Sequence, residues 1–368
     1  MKLWKRIRRL AGPAAVLTAA WLLGRGLPRE FWAALGEKAA LAAVGWQQPE
    51  GTAALISRRL ERIPAGAPGE AAPLPVWRET EGAEQQPAPE VTPAGEEPPV
   101  SPPPENGTGG KIVTQRVGGG SEIAGIRVKN KGGAAAAEAL PEAVSGPLPF
   151  ALDFGSPEPQ VLIYHTHTTE GYMSYDAGYY NEGDVPRTPE YPYSVILAGD
   201  ALTAELEAAG IRVIHDTAVH DYPSYRGAYG RSLARAREIL QQYPSVKITI
   251  DLHRDGLMAG AKDMLKPTAT VNGEKAAQMM IVCSVASTKS NPHPEWRKNL
   301  SLAAHLQQRL EQSAPGLMRP LSLTSARYNQ HLTAGSLLVE VGSEGNTWQE
   351  AVTSARLLAR AIIDVFSP

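Results

Sequence analysis

Val161-Leu162-Ile163-Tyr164-His165-Thr166-His167-Thr168-Thr169-Glu170 is an apolar run of four residues that passes straight into a polar cluster. Four consecutive apolar residues read as a strand buried on both faces, and the cluster then lies at its carboxyl end. Two further stretches repeat the pattern. Val246 to Leu252 leads into Asp251-Leu252-His253-Arg254-Asp255, and Ser336 to Val341 leads into Glu340-Val341-Gly342-Ser343-Glu344. Helical spacing fills the intervals, at Ser194 to Ala209, Tyr229 to Gln242, Asn299 to Gln312 and Thr347 to Phe366. Further strands are expected at Ile211 to Ile214 and Met279 to Val285, with Ile123 to Val128 as a strand entering the domain. Alternation of this kind predicts an α/β fold, a three-layer sandwich around a mostly parallel central sheet.

Ligands of open α/β sheets bind outside the carboxyl ends of the strands. His167 and Glu170, three residues apart on a turn leaving a strand, have the spacing to face one ion. His253 on another strand would complete a His-Glu-His set, leaving one position open for water, as in catalytic zinc sites. The expected cofactor is therefore zinc. Glu340, an acid at the end of a buried strand, is the candidate catalytic base that would take the proton of the water. Either His165 or His167 can serve as the ligand. The Glu170 spacing favours His167 and leaves His165 as a substrate-facing or orienting group. Arg254 and Asp255 are candidates for substrate contact or for support of the ligands. His215, His220, His293 and His305 read as surface or packing residues, and His331 lies near the Glu340 strand. Cys283 is the single cysteine of the chain. It sits in an apolar run and reads as a core thiol, so a cysteine-based metal site is excluded.

The 368 residues carry a net charge of −2, which speaks against a general nucleic-acid binder. Lys2, Lys5, Arg6, Arg8 and Arg9 precede an apolar run from Leu10 to Gly24. A basic start before an apolar run predicts a signal anchor over 1–30, with the rest of the chain extracytoplasmic and the protein at the cell membrane. A membrane-proximal helical segment is expected over 31–63. Residues 64–120 are rich in Pro, Glu and Gly and read as a disordered linker. At ~3.1 Å per residue such a tether reaches on the order of 100 Å. The catalytic domain is expected over 121–368.

The strand-end clusters also carry a resemblance. The run 161–170, the run Ile250-Asp251-Leu252-His253-Arg254-Asp255, and Tyr328-Asn329-Gln330 leading into Leu338-Val339-Glu340-Val341-Gly342, Asn346-Thr347 and Glu350-Ala351 resemble the stage II sporulation protein P (SpoIIP) family. Gly171 and His331 depart from the pattern, at places where a Ser and an acid are expected. The resemblance implies an amidase-like fold with zinc and cleavage of peptidoglycan as an N-acetylmuramoyl-L-alanine amidase. It also implies endopeptidase action on cross-links, and a role in engulfment during endospore formation. The partners it implies are a SpoIID-like transglycosylase and a SpoIIM-like membrane protein, with His167, Glu170, His253 and Glu340 on the motif positions. A zinc carboxypeptidase with the same donor set, and a non-catalytic cell-wall-binding domain, are the alternative readings.

Overall fold

In the computed structural model, residues 107–285 and 292–367 are described. The chain divides into two units, Met1–Ala88 and Pro89–Pro368. The first, with the expected anchor (1–30) and membrane-proximal segment (31–63), lies outside the described residues, as does most of the expected linker.

Thirteen strands and five helices follow in order among the described residues. They are β1 (Gly110–Thr114), β2 (Ser121–Ile123), β3 (Ile126–Asn130), α1 (Ala134–Ser145), β4 (Val161–Tyr164), β5 (Tyr179–Tyr180), α2 (Val195–Ala208), β6 (Val213–Asp216) and α3 (Ala228–Gln242). Then come β7 (Ile248–Asp255), β8 (Met264–Lys266), β9 (Thr268–Val271), β10 (Glu274–Ala277), β11 (Met279–Ser284), α4 (Trp296–Ser313), β12 (Leu321–Thr324), β13 (Gly335–Ser343) and α5 (Trp348–Phe366).

Eight strands form the central sheet in the order β2-β3-β12-β11-β13-β7-β4-β6. Five of its seven pairings are parallel, and β2/β3 and β11/β13 are antiparallel. The expected entering strand is in fact a hairpin. Ala124 and Gly125 take φ of 52° and 81°, the left-handed pair that a two-residue hairpin turn requires. β1 falls inside the stretch read as linker, where it pairs with β5 and β8 in a small separate sheet.

Period-two alternation decides what each face of the sheet carries. On β4 and β7, Val161, Ile163, Ile248, Ile250 and Leu252 enter the main core with the apolar stripes of α1, α2, α4 and α5. Leu162 and Tyr164 face the other way and pack with Ala236 and Ile239 of α3. The connection β4-α2-β6 runs outward to the sheet edge, and β6-α3-β7 returns past β4. Crossovers of one hand running in opposite directions lay their helices on opposite faces. The strand order therefore reverses between β4 and β7, and a crevice opens there at the carboxyl edge.

α5 buries Ala351, Val352, Ala355, Leu358, Ala359, Ile362 and Phe366 at helical spacing. Thr347 caps it, accepting from the Glu350 amide while the Glu350 carboxylate accepts from the Thr347 amide. Thr347→Ala is expected to lower stability by about 1 kcal/mol, read as a shift of the urea midpoint at unchanged slope.

One expectation is corrected at this level. Among the described residues, no helix is long and apolar enough to cross a membrane. The anchored architecture, the membrane as a partner and the cell-membrane location find no spanning helix among these residues, and the segment 1–30 on which they rest lies outside them. No finding among the described residues bears on the SpoIID-like and SpoIIM-like partners.

Candidate functional site

The three strand-end clusters meet at the crevice. β13 runs parallel to β7 with Glu340 opposite His253, and β4 runs parallel to β7 with Tyr164 opposite Asp251. Alternation puts Asp251 and His253 on the α3 face of β7, opposite the core residues Ile250 and Leu252. Strand β4 stops at Tyr164, and a turn closed by the Glu170 amide on the His167 carbonyl (3.0 Å) brings Glu170 back over β7.

Glu170 is the hub of the site. Its Oε1 accepts from Arg187 Nη2 at 3.3 Å, and its Oε2 accepts from the Arg254 amide at 3.1 Å. Oε2 also lies 3.3 Å from His253 Nδ1, and His253 Nε2 lies 2.8 Å from Asp251 Oδ1. Asp251 in turn accepts from the amide and the hydroxyl of Thr166, at 2.8 and 2.7 Å. Burial works against charge on His253, but the flanking carboxylates of Asp251 and Glu170 raise its pKa well above the ordinary value. Burial likewise opposes the ionised Glu170. The hydrogen bond and charge of His253, helped by Arg254, still bring Glu170 down to about 2. The flanking carboxylates thus favour the protonated form of His253, and His253 favours the ionised form of Glu170.

Glu340 is different. Burial lifts its carboxyl to about 8 against the lowering pull of His253, and its Oε2 has no hydrogen-bond partner. His167 lies 5.3 Å from the His253 ring, centre to centre, and stacks on Tyr225 at 4.2 Å. Its Nδ1 is 3.8 Å from Asp221 Oδ2, an oxygen that also receives the Thr169 hydroxyl. Burial lowers the His167 pKa.

The other expected site residues have different company. His165 does not share the face of His167, because the strand ends before either residue. Its Nδ1 contacts the Leu252 carbonyl and its Nε2 contacts His215 Nε2, both at 2.8 Å. His215 contacts Asp200 at 3.0 Å. Gly199 on α2 makes room for this pair, since a Cβ there would come within 2.4 Å of the His215 ring. His215 is therefore a partner of His165 and not an isolated surface residue. Arg254 donates from Nε to the Gly171 carbonyl at 3.1 Å and reaches Glu344 at 3.4 Å. Asp255 pairs with Arg319 at 2.8 Å.

Together these groups line a cleft of about 350 Å³ whose walls are His167, Glu170, Arg187, Tyr225, Tyr229, His253, Arg254, Asp255, Gly256, Tyr328 and Glu340. Asp221, Arg187, Tyr225 and Tyr229 were not singled out as site residues from the sequence, and Asp251 and Tyr328 stood in quoted motifs without a role. Asp251 alone had a usable signal, its place two residues before His253 on one strand face.

The zinc expectation is corrected here. Among the described residues, no group of three or more His, Cys, Asp or Glu side chains is arranged to hold a metal ion. His253 and Glu170 lie within ion-pair distance of each other, of Asp251 and of Arg187, while His253 Nε2 and His167 Nδ1 are buried without a hydrogen-bond partner and His167 stacks on Tyr225. The residues as arranged do not fit zinc as a cofactor. Zinc-dependent action as an N-acetylmuramoyl-L-alanine amidase, endopeptidase or carboxypeptidase, with His167, Glu170 and His253 as ligands, is not carried forward.

Comparison with known proteins adds the following. A family model described as stage II sporulation protein P (SpoIIP) matches residues 111–363. Stage II sporulation protein P of Bacillus subtilis (strain 168) is 29% identical over 218 residues, 56% of this chain and 50% of that protein. The chain thus spans about half the length of the curated relative it matches. Among solved structures, it is similar to the CwlD amidase from Clostridioides difficile, solved in complex with the GerS lipoprotein. The identity is 15%, with 56% of this chain and 98% of that chain covered and a TM-score of 0.34. It is also similar to the N-acetylmuramoyl-L-alanine amidase AmiC2 of Nostoc punctiforme, at 14% identity, 58% and 97% coverage and a TM-score of 0.31.

Proposed function

The chain belongs to the stage II sporulation protein P family, and we propose that its described domain binds peptidoglycan and holds the peptide stem in the cleft at the carboxyl edge of the sheet. The curated relative is named for a stage of sporulation, so on this reading the wall is that of a spore-forming cell. The observation that carries the reading is the charge pattern of the cleft. Arg187 stands at the mouth with its side chain 41% exposed, while Glu170, Asp255 and Glu340 line the interior. Stem peptides carry both carboxylates and a free amine. A cation at the entrance and acids within are complementary to such a ligand.

Arg187 pairs with Glu170 at 3.3 Å and Asp221 at 3.7 Å and lies over the Tyr225 ring at 5.3 Å. An incoming carboxylate can share it without disturbing the core. Full-length protein is expected to sediment with purified peptidoglycan and to be displaced by free stem peptide. Arg187→Glu is expected to weaken binding roughly tenfold, the scale of one charge-assisted contact. Failure to sediment, or displacement unchanged by Arg187→Glu, would count against the cleft as the site. The supernatant is read by mass spectrometry in the same experiment. Peptide released from the glycan strands would show cleavage and overturn the reading as a binding domain.

A further inference from the structure

Arg237 and Arg327 come together outside the cleft with no acid between them. Arg237 is exposed on α3, while Arg327 and His331 are half-buried on the loop between β12 and β13. Arg237 Nη2 lies 3.4 Å from His331 Nε2, and Arg327 Nη1 donates to the Pro292 carbonyl at 3.2 Å. Neither guanidinium forms an ion pair with a carboxylate among the described residues. Arg235, on the same helix, shows the ordinary arrangement, with Asp216 at 3.1 Å and Glu238 at 3.6 Å. Arg237 lies about 12 Å along α3 from Tyr229 of the cleft wall. None of Arg237, Arg327 and His331 lines the cleft.

The place of the proton on His331 follows from its neighbour. A guanidinium only donates, so His331 Nε2 is the acceptor and the proton sits on Nδ1. That Nδ1 is buried without a hydrogen-bond partner. Burial, then the charges of Arg327 and Arg237, with a smaller part from His293, bring the His331 pKa down to about 4. Burial and the Arg237 charge also lower the pKa of Arg327. Like charges held this close repel each other. The loop does not let them part. Tyr328 and Asn329, between Arg327 and His331, take left-handed φ of 45° and 59°, which bulky residues adopt only when their surroundings force it. Asn329 Nδ2 donates to the Tyr229 carbonyl at 3.0 Å, and Gln330 bonds to both the Val282 carbonyl and the Ser284 amide at 2.9 Å. Arg327 and His331 are thus fixed on either side of a clamped turn, beside α3.

We propose that Arg237, Arg327 and His331 form an anion site that takes a doubly charged phosphate group, as the free ion or as a monoester. Two fixed cations match a dianion, and a single carboxylate would leave one of them unneutralised. Guanidinium forks suit phosphate oxygens, which accept paired N–H bonds. The site stands apart from the cleft and does not depend on what the cleft binds.

The test titrates inorganic phosphate into the full-length protein by calorimetry at about pH 8, where phosphate is mostly dianionic. Saturable binding is expected. Arg237→Gln and Arg327→Gln are each expected to weaken it about tenfold, the scale of one charge-assisted hydrogen bond. Without phosphate, the Arg237→Gln protein is expected to melt no lower than the parent, because the change relieves repulsion. His331→Asp sets an acid beside the arginines and is expected to abolish phosphate binding while raising the melting temperature. Arg187→Glu, in the cleft, is expected to leave phosphate affinity unchanged. Glycerol 3-phosphate binding as tightly as the free ion would assign the site to an esterified phosphate, and much weaker binding would assign it to the free ion. Four results overturn the proposal: no saturable binding, acetate binding as tightly as phosphate, phosphate binding lost in Arg187→Glu but kept in both glutamine variants, or an Arg237→Gln protein that melts well below the parent.

Discussion

Asp251→Ala is expected to cost about 3–5 kcal/mol of stability, the largest effect of any single change at the site. Asp251 is fully buried beneath the cleft. It receives the amide and hydroxyl of Thr166 and lies 2.8 Å from His253 Nε2. Removing it strands an imidazolium whose raised pKa depends largely on that carboxylate. It also leaves the Thr166 amide unsatisfied in the interior, a further penalty. Asp251→Asn keeps the shape and an acceptor for Thr166, so it should cost less than the alanine change. Urea denaturation of the three proteins side by side checks the order. An alanine variant within 1 kcal/mol of the parent would show that His253 sheds its proton and settles as a neutral ring.

The second large effect lies away from the cleft. Lys266 on β8 is 2% exposed, with Nζ 2.9 Å from Glu350 Oε1 and 2.7 Å from Asp176 Oδ1. Glu350, itself 3% exposed, also receives Asn346 Nδ2 at 2.8 Å and the Thr347 amide at 3.2 Å. Lys266→Met leaves that carboxylate buried without its cation, and the expected loss is about 3–5 kcal/mol. Adding Glu350→Gln should restore a good part of it, because the amide keeps the cap of α5 and no lone charge remains. The pair therefore gives a non-additive double-mutant cycle, measured by the same urea titrations. Additive losses would mean that the two side chains do not support each other.

The frame of this fold was legible where the pattern was local. Ile248-Thr249-Ile250-Asp251-Leu252-His253 alternates cleanly, and its polar positions do share a face. The strand-end placement of Glu170, His253 and Glu340 was legible for the same reason, and these residues do meet in one cleft. Other elements were masked. Pro141 inside α1 reads as a helix breaker, and β1 sits in a Gly- and Pro-rich stretch that looks like linker. Arg187 and Asp221 lie on irregular loops with no period to mark them. The metal reading failed because spacing along a chain does not fix where donor atoms point. A His-x-x-Glu pair is equally consistent with an ion and with the salt-bridged hub around Glu170.

The position of β13 has a consequence for how such a chain is made. Among the described residues it is the last strand in chain order, yet it lies between β11 and β7 near the middle of the central sheet. Until residues 335–343 leave the ribosome, β7 and β11 each present an unpaired edge, and the two portions of the sheet have no strand to join them. Growing from one end, the chain cannot bank a finished half-sheet while the rest is synthesised, so closure of the central sheet waits for β13. A premature stop anywhere before β13 should leave exposed strand edges ready to aggregate, with no smaller working domain to salvage.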